Sequence, residues 1–491
     1  MKLNKIHIVL ILVGALLLGF IGAYAGVSIA TPDQAEQNVA DNSNKEKNQT
    51  NQQDDEQNTQ VPAEWQKVAQ AYNIIKENYL EGAEEQQLIA GAIEGMLATL
   101  GDPYSTYMDL ETMESFNEQI EASFEGIGAE VSMVNGLVTI VAPIKDSPAE
   151  KVGLRPNDQV LEVDGETLEG LNLNEAVALI RGEKGSEVVL TILRAGTAEP
   201  FEVSITRDTI PIETVYSEMK TQEGKKTGVI EITNFAETTS KDFNTQLKAL
   251  EDEGMEGLVI DVRGNPGGLL NSVEEILMNF IPKDKPYIQI EDQKGNKQPY
   301  FTKLKEKKDY PITVLVDEGS ASASEILAVA MKEVGYEVVG HTTFGKGTVQ
   351  QAVPLGDGST IKLTFFKWLS PEGNWVHDDG VEPTVAIDQP KYFYTNPVQI
   401  EEPLEYDNTG TNVENIQLML EGLGYTIDRT DGYFDKVTEE AVKAFQDAND
   451  LEMTGKVDQD TVGMLEAKLI EKIRSGEDDL QMDRALEVVY Q

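Results

Sequence analysis

The chain has 491 residues, a length that predicts three or four folded units. It carries 86 Asp plus Glu against 40 Lys plus Arg, a formal net charge of -46, which argues against nucleic acid and anionic lipid as ligands. Cysteine is absent and histidine occurs three times, which excludes disulfides, thiol catalysis, zinc–thiolate sites and a histidine-rich metal cluster.

The first 30 residues contain Lys2 and Lys5, followed by an almost uncharged apolar run from 6 to 30. As a helix this run would span roughly 37 Å, more than the ~30 Å hydrocarbon core of a bilayer. Residues 1–30 are therefore predicted to be an uncleaved transmembrane anchor, with the rest of the chain outside the cytoplasm. A cleaved signal peptide is the alternative, because Ala23-Tyr24-Ala25 fits a small-x-small cleavage site.

Residues 31–62 are dominated by Asn, Gln, Asp and Glu and predict a disordered linker. Apolar residues then recur at three- and four-residue spacing from Trp65 to Tyr79 and predict a helix. A second helix is expected over 85–99, ending before Gly101-Asp102-Pro103. The helical segment is assigned to 63–118.

Five short strands with turn signals, interrupted by one helix near 173–180, predict a small mostly-β module over 119–207. From 208 to 391 apolar strands alternate with helices, which indicates a covered, largely parallel sheet. A linker at 392–410, a small α-helical domain at 411–470 and a tail at 471–491 complete the chain. The fold class is thus a multidomain α/β protein.

Three strand ends in the α/β part are candidates for the site, because α/β sheets bind ligands beyond the carboxyl ends of their strands. DVRGNPGG at 261–268 offers backbone N–H groups to an anion or an oxyanion, or is only a tight turn. In DEGSASASEI, Ser320 is the expected helix N-cap, and Ser322 lies between small residues that leave its hydroxyl approachable. In HTTFGKGTVQQ, Lys346 lies between two glycines.

The segment Gly340 to Lys346 matches the beginning of a phosphate-binding loop, but Gly347 stands where Ser or Thr would bind magnesium. A nucleotide site is therefore excluded. A serine nucleophile needs a base, and neither His341 nor His377 has an evident orienting Asp. A lysine can serve if burial lowers its pKa from about 10.4. Glu325 is expected to orient neighbouring groups, and Gln350 could hold the lysine without favouring its charged form.

DVRGNPGG, EGSASASE and TFGKGTVQ, in this order and after a PDZ-like module, resemble the S41 serine peptidases, the carboxy-terminal processing or tail-specific proteases. The resemblance covers about 63–391 and implies a protease core at 208–391 with a helical N-terminal part at 63–118. It implies that Ser322 is the nucleophile, Lys346 the general base and Gln350 its partner. The implied oxyanion hole is formed by the backbone N–H groups of Gly267, Gly268 and Ala323.

FEGIGAEV, SPAEKVGLRPNDQVLEVDGE and the helix ending in LIRG resemble a PDZ domain. This implies that Ile127, Gly128 and Ala129 bind the carboxylate of a peptide added as a strand. Arg181, at the helix end, either couples peptide binding to the protease or is an ordinary surface arginine. In the domain at 411–470, the elements DG-x-F, AV-x-x-FQ and TG-x-VD resemble those of a peptidoglycan-binding domain, although Asp435 replaces the usual Gly after Phe434.

Together these features predict a membrane-anchored, extracytoplasmic serine endopeptidase that cleaves proteins near their C-termini through a Ser–Lys dyad, without metal or cofactor. Its expected partners are protein tails, the membrane and, weakly, peptidoglycan. Homodimers could form through 63–80 or through the tail after Leu469, although both could pack internally. The alternative is a non-catalytic, wall-associated PDZ scaffold that binds tails without cutting them.

Overall fold

The computed structural model describes residues 64–491, apart from 135, 196, 198 and 223. The predicted anchor at 1–30 and the linker at 31–62 lie outside these described residues. Within the described ranges, no helix is long and apolar enough to cross a membrane. The membrane-spanning segment therefore remains a prediction from the sequence.

The N-terminal part contains the two predicted helices, a short strand and a third helix. These elements are α1 (Trp65–Asn78), α2 (Glu85–Ala98), β1 (Thr106–Met108) and α3 (Leu110–Glu121). Neither α1 nor α2 contains a buried residue. Asp109 begins α3 as its N-cap, and its carboxylate accepts the Thr112 N–H at 2.9 Å. The helix is thereby fixed directly after β1.

The PDZ-like module contains all five strands and the helix that the sequence predicted. Its elements are β2 (Ser123–Gly126), β3 (Ala129–Val134), β4 (Leu137–Pro143), α4 (Pro148–Lys151), β5 (Gln159–Val163), β6 (Glu166–Thr167), α5 (Leu173–Ile180), β7 (Glu187–Leu193), β8 (Phe201–Thr206) and β9 (Asp208–Pro211). The main sheet has the order β3-β4-β5-β7-β8, so β3 lies at an edge. Strands β2 and β9 pair with each other, which joins the two ends of the module.

The protease core continues the chain with alternating strands and helices. Its elements are β10 (Val215–Gln222), β11 (Lys225–Ile232), α6 (Thr239–Asp252), β12 (Gly257–Asp261), α7 (Leu270–Leu277), β13 (Pro286–Glu291), β14 (Lys297–Phe301), β15 (Ile312–Val316), α8 (Ala323–Glu333), β16 (Glu337–Gly340), β17 (Thr348–Pro354), β18 (Thr360–Leu369) and β19 (Val385–Ala386). The central sheet has the order β10-β11-β12-β15-β16-β19 and is parallel except at β10. Every residue of β12 and β15 is buried, as expected for strands covered on both faces.

A second, antiparallel sheet has the strand order β1-β18-β13-β14, with β17 also paired to β18. The sequence predicted neither β13 nor β14. Strand β14 has no buried residue, and β13 buries Tyr287, Ile288 and Ile290 in a run of only six residues. In this sheet β1 pairs with β18, Thr106 opposite Lys362. The N-terminal part is thereby attached directly to the strands beside Lys346.

The C-terminal module comprises a 3-10 helix (Lys391–Tyr394) and helices α9 (Thr411–Gly422), α10 (Lys436–Ala448) and α11 (Gln459–Arg474). Two buried glutamines, Gln417 and Gln446, each accept a glycine N–H and donate to a threonine hydroxyl, so the module contains two similar halves. Phe434, Val442 and Phe445 are at most 1% exposed and form its core.

The tail after Leu469 packs internally. Its helix α12 (Leu480–Val488) returns to the central sheet, where Ala485 and Leu486 join a cluster with residues of β11, β12, β15 and β16. Arg263 makes two hydrogen bonds to Asp479, at 2.8 and 2.9 Å, just before this helix. The last helix is thus part of the protease core, and the C-terminal module is held between two segments of that core.

Candidate active site

Ser322 lies at the sharp turn between buried strand β15 and helix α8. Its backbone has φ 53° and ψ -108°, a conformation that non-glycine residues rarely adopt. Ser322, and not Ser320, is the N-cap of α8, so the predicted cap was wrong by two residues. The Ser320 hydroxyl instead donates to the Val262 carbonyl at 2.8 Å. Ser324 is fully buried and donates to the Asn265 carbonyl, which leaves Ser322 as the approachable serine of this segment.

The glycine turn after β12 packs against Ser322. Gly267 has φ 105°, and a Cβ there would lie 2.8 Å from both the Ala321 carbonyl oxygen and Ser322 Cβ. Only glycine therefore permits this approach. The Gly267 N–H donates to Asn265 Oδ1 at 2.8 Å and is engaged within the turn.

Gly268 and Ala323 are the other two predicted oxyanion donors. Within the described part of the chain, neither backbone N–H donates a hydrogen bond, and both residues line the same cavity as Ser322. Gly268 is held by parallel bridging to Phe235, and a Cβ at Gly268 would lie 2.2 Å from the Phe235 carbonyl oxygen. Of the three predicted donors, Gly268 and Ala323 are thus free to face a ligand.

Glu325 connects the serine turn to the lysine loop. This fully buried carboxylate accepts the N–H groups of Ser322 at 2.8 Å and Lys346 at 2.7 Å through Oε2. Its Oε1 accepts the Gly345 N–H and the Thr343 hydroxyl, each at 2.7 Å. Hydrogen bonds to a carboxylate are stronger than neutral ones, so Glu325 fixes the distance between the two loops.

Lys346 is partly buried, and burial lowers its pKa below the ordinary value, with the charge of Lys362 lowering it further. Glu325 and Asp102 act in the opposite direction, but their effect is smaller. Within the described residues, Lys346 Nζ makes no hydrogen bond, and none joins it to Ser322 Oγ. The amine lies over the ring of Tyr104, 5.0 Å from the ring centroid.

Gln350 lies on β17, four residues after Lys346. Its Nε2 donates to the hydroxyls of Thr348 at 2.9 Å and Thr364 at 3.0 Å. The carboxamide that the sequence assigned to the lysine is therefore bound to two threonines in this arrangement.

Ser322, Lys346, Gln350, Gly268 and Ala323 come together around one cavity of about 190 Å³. Gly267 lies behind the serine and is not part of the lining. The remaining wall is mostly apolar and is formed by Phe116, Ile120, Leu269, Leu270, Ile326, Val349, Phe366 and Trp368, together with Thr348 and Lys362. Phe116 and Ile120 belong to α3, outside the α/β core, and no motif indicated that this helix would reach the cavity.

The predicted peptide-binding residues of the PDZ-like module lie at the start of β3. Ile127 is 3% exposed, and its carbonyl accepts the Ala149 N–H at 2.8 Å. Gly128 has φ 74°, and a Cβ there would lie 2.4 Å from Ser147 Cβ, so glycine is required. Ala129 begins β3, whose outer edge is unpaired within the described sheet. This edge is open to an added strand.

Arg181 is not an isolated surface arginine. Its Nη1 donates to both carboxylate oxygens of Glu118 on α3, at 3.0 and 2.9 Å. Its guanidinium also lies over the Phe124 ring, 5.0 Å from the centroid. The residue therefore connects the helix of the PDZ-like module to the helix that lines the cavity.

Four family models match the chain. Peptidase family S41 matches residues 226–387, the PDZ domain 139–194 and the peptidoglycan binding domain 409–465. The N-terminal domain of the activating protease CtpB matches 16–112. The matched ranges include Ser322, Lys346 and Gln350 and most of the C-terminal module, whereas residues 113–138, with β3 and the cavity residues Phe116 and Ile120, lie between two matches.

Two curated relatives are similar over most of their length. The carboxy-terminal processing protease CtpB of Bacillus subtilis is 47% identical over 99% of this chain and 100% of its own. The carboxy-terminal processing protease CtpA of the same organism is 44% identical over 87% of this chain and 90% of its own. Among solved structures, a photosystem II D1 C-terminal processing protease is 27% identical, with a TM-score of 0.40 over 66% of this chain and 86% of that one. The sequence similarity shows that the chain belongs to peptidase family S41, as a carboxy-terminal processing serine protease with PDZ and peptidoglycan-binding domains.

Proposed function

We propose that this serine protease uses a Ser322–Lys346 dyad to cleave proteins near their C-termini. The observation that carries the proposal is the shared cavity, in which a strained serine, a lysine with a lowered pKa and two free backbone N–H groups meet. Neutral Lys346 takes the proton from Ser322 Oγ as it attacks the peptide carbonyl carbon. The Gly268 and Ala323 N–H groups stabilise the resulting oxyanion.

The proton on Lys346 then passes to the amine of the leaving fragment, and the acyl-serine is hydrolysed by water with the lysine again acting as base. Because burial lowers its pKa, a larger fraction of Lys346 is neutral near pH 7 than for an exposed lysine. The apolar wall of the cavity suits an uncharged, apolar side chain next to the scissile bond.

The test is labelling by a fluorophosphonate, which reports on an activated serine without a peptide substrate. Ser322→Ala and Lys346→Ala are expected to abolish labelling and cleavage while circular dichroism stays unchanged, because nucleophile and base act as a unit. Gln350→Ala is expected to lose less. Near-normal turnover of Lys346→Ala together with an inactive His341→Ala would show that the base is assigned wrongly. Full inactivity of the wild-type chain would favour the non-catalytic PDZ scaffold.

We also propose that the PDZ module recognises substrate tails and transmits their binding to the cavity. A free carboxylate would bind at Ile127 to Ala129, with the tail added along the open edge of β3. Arg181 lies at the end of the neighbouring helix and is bound to Glu118, while Phe116 and Ile120 on the same helix α3 line the cavity. A shift of α3 would therefore change the shape of the cavity.

Two peptides of one sequence, one with a free and one with an amidated carboxyl end, test this coupling. Wild type is expected to cleave the free-carboxyl peptide faster, and Arg181→Ala to bring the ratio of the two rates toward one. Arg155→Ala is the matched control, because Arg155 makes no ion pair with any of the described residues. Unchanged cleavage of both peptides after deletion of 120–206 would contradict tail recognition altogether.

The location of the enzyme is proposed from the sequence of the first 62 residues: a single membrane anchor at 1–30 and a flexible linker, with the protease outside the cytoplasm. Protease added to intact protoplasts is expected to degrade the chain from outside. Recovery of a soluble mature chain beginning after Ala25 or Ala30 would instead show a cleaved signal peptide.

The C-terminal module is proposed to bind peptidoglycan weakly. Tyr433 is partly exposed, donates to Asp407 and lies 4.8 Å from the guanidinium of Arg429, so it can offer a polar aromatic surface. The high negative charge of the chain opposes anionic wall polymers, so binding is expected to improve with salt. A 408–475 fragment that fails to cosediment with peptidoglycan at any ionic strength, while its circular dichroism shows a folded domain, would contradict this role.

A homodimer through the N-terminal helices is the remaining proposal on partners. Helix α1 has no buried residue, and its Ile74 and Ile75 are exposed. Sedimentation velocity of the detergent-solubilised chain is expected to show a dimer that Ile74→Asp with Ile75→Asp converts to a monomer. A wild-type monomer at micromolar concentration would rule this out.

A further inference from the structure

The turn that precedes β1, residues 101–105, lies against the lysine of the cavity. Lys346 Nζ is 5.0 Å from the centroid of the Tyr104 ring, within the ~6 Å over which a ring face attracts a cation. The Tyr104 hydroxyl makes no hydrogen bond within the described residues, so the ring and not the hydroxyl is the interacting group. The ring is itself packed edge-on against His377 at 6.1 Å, which in turn stacks on Trp375.

The same turn is anchored to the strand that binds Gln350. Tyr104 N–H donates to Asp102 Oδ1 at 3.0 Å, and the Ser105 hydroxyl donates to the same carboxylate. The Thr364 N–H donates to Ser105 Oγ at 3.1 Å. The Thr364 hydroxyl in turn accepts Gln350 Nε2. The position of Tyr104 over the lysine is therefore fixed by a continuous set of hydrogen bonds.

The charged groups that act on Lys346 come from three elements: Lys362 from β18, Glu325 from α8 and Asp102 from the turn itself. The titratable group nearest to the Tyr104 ring on the segment after β18 is His377, which contacts the ring edge-on. Neither carboxylate accepts a hydrogen bond from the amine within the described part of the chain. Both oxygens of Glu325 are used by backbone N–H groups and by Thr343. The face of Tyr104 is thus the direct contact that favours the ammonium form.

We propose that Tyr104 is a positioning residue for the base: its ring holds the Lys346 ammonium apart from Ser322 until ring and lysine separate. This inference rests on the proposed Ser322–Lys346 dyad. The base acts only when neutral, so a contact that favours the ammonium moves the onset of activity to higher pH. Removing the ring face must therefore move the onset to lower pH.

The experiment measures the second-order rate of fluorophosphonate labelling of the full chain between about pH 5 and pH 10. Tyr104→Leu keeps an apolar side chain over the lysine but removes the ring. The acid limb of its pH–rate profile, where labelling becomes faster as the pH rises, is expected to move down by about half a pH unit to one pH unit. This corresponds to labelling about three- to tenfold faster than wild type at pH values below the midpoint of the wild-type limb. Tyr104→Phe keeps the ring and is expected to restore the wild-type limb.

Tyr107→Leu is the matched control, since it removes a neighbouring tyrosine that does not contact Lys346, and its limb is expected to stay in place. An unmoved limb in Tyr104→Leu, or one moved to higher pH, overturns the inference. A shift of the acid limb in Tyr104→Phe that is as large as the shift in Tyr104→Leu also overturns the inference. Absence of labelling in wild type, or labelling that persists in Lys346→Ala, would instead count against the dyad itself, so the two failures can be told apart.

Discussion

Replacing Glu325 by glutamine is the sharpest test of how the two catalytic loops are held. The carboxylate accepts four hydrogen bonds, two at each oxygen, from Ser322 and Lys346 on one side and from Thr343 and Gly345 on the other. Glutamine has the same shape but only one acceptor oxygen. Its NH₂ group must therefore take the place of one carboxylate oxygen. At the Oε2 position it would face the N–H groups of Ser322 and Lys346; at the Oε1 position it would face the Gly345 N–H and the Thr343 hydroxyl, which can rotate.

The second orientation is the less costly, because the Thr343 hydroxyl can become the acceptor and a single N–H is left without a partner. Losing one or two hydrogen bonds to a buried carboxylate costs about 2–4 kcal/mol. The unfolding temperature of the protease core is therefore expected to fall by about 4–16 °C. Activity is expected to fall at least about a hundredfold, since misplacement by ~1 Å already has such an effect.

Thermal unfolding by circular dichroism and fluorophosphonate labelling measure the two effects separately. Glu333→Gln is the matched control at the other end of α8, where the carboxylate accepts one N–H from Glu372. This variant is expected to keep wild-type labelling. A Glu325→Gln chain that labels within threefold of wild type and unfolds at the same temperature would refute the view that Glu325 holds Ser322 and Lys346 together.

Two further changes test the supports of the site. Gly267→Ala is expected to abolish labelling, because its Cβ would lie 2.8 Å from Ser322 Cβ. The control Gly463→Ala, whose Cβ would have no atom within 4 Å, is expected to keep wild-type labelling. Equal labelling of the two variants would show that the close approach of Gly267 to Ser322 is unimportant. Asp479→Asn is expected to lower the unfolding temperature near pH 7, because it weakens the pairing of the partly buried Arg263. Burial alone would raise the pKa of Asp479, but Arg263 holds it below its usual value, so wild type should lose this stability as the pH falls below about 4. The variant should lack that part of the pH dependence, and parallel pH profiles of unfolding would contradict it.

The sequence allowed most of the central sheet and the PDZ-like module to be predicted, because β12 and β15 are mostly apolar runs and β7 is a short segment rich in Val, Ile and Leu. It did not indicate β13 or β14, nor that β1, β13 and β17 pair with β18 in a second sheet. Such pairings are set by tertiary contacts and have no local signal.

The site was predicted unevenly for the same reason. Ser322, Lys346 and the glycine turn belong to local motifs, and the structure brings them to one cavity. The side chain of Gln350 is turned toward Thr348 and Thr364, and the Gly267 N–H is bound to Asn265. Thr348 and Asn265 are only two residues away along the chain, but the choice of these partners depends on backbone and side-chain conformations that a motif does not specify. The contribution of α3 to the cavity wall likewise depends on how the N-terminal part docks.

The return of α12 to the central sheet has a mechanical consequence for the C-terminal module. Both of its ends are attached to the protease, through β19 on one side and through the Arg263–Asp479 pair and α12 on the other. A force applied to the module, for example by a polymer bound to it, would therefore act on the protease sheet at two points instead of being transmitted through one flexible connection. Arg263 lies two residues after the end of β12 and leads into the glycine turn that packs against Ser322, so the force would reach the backbone that supports the nucleophile.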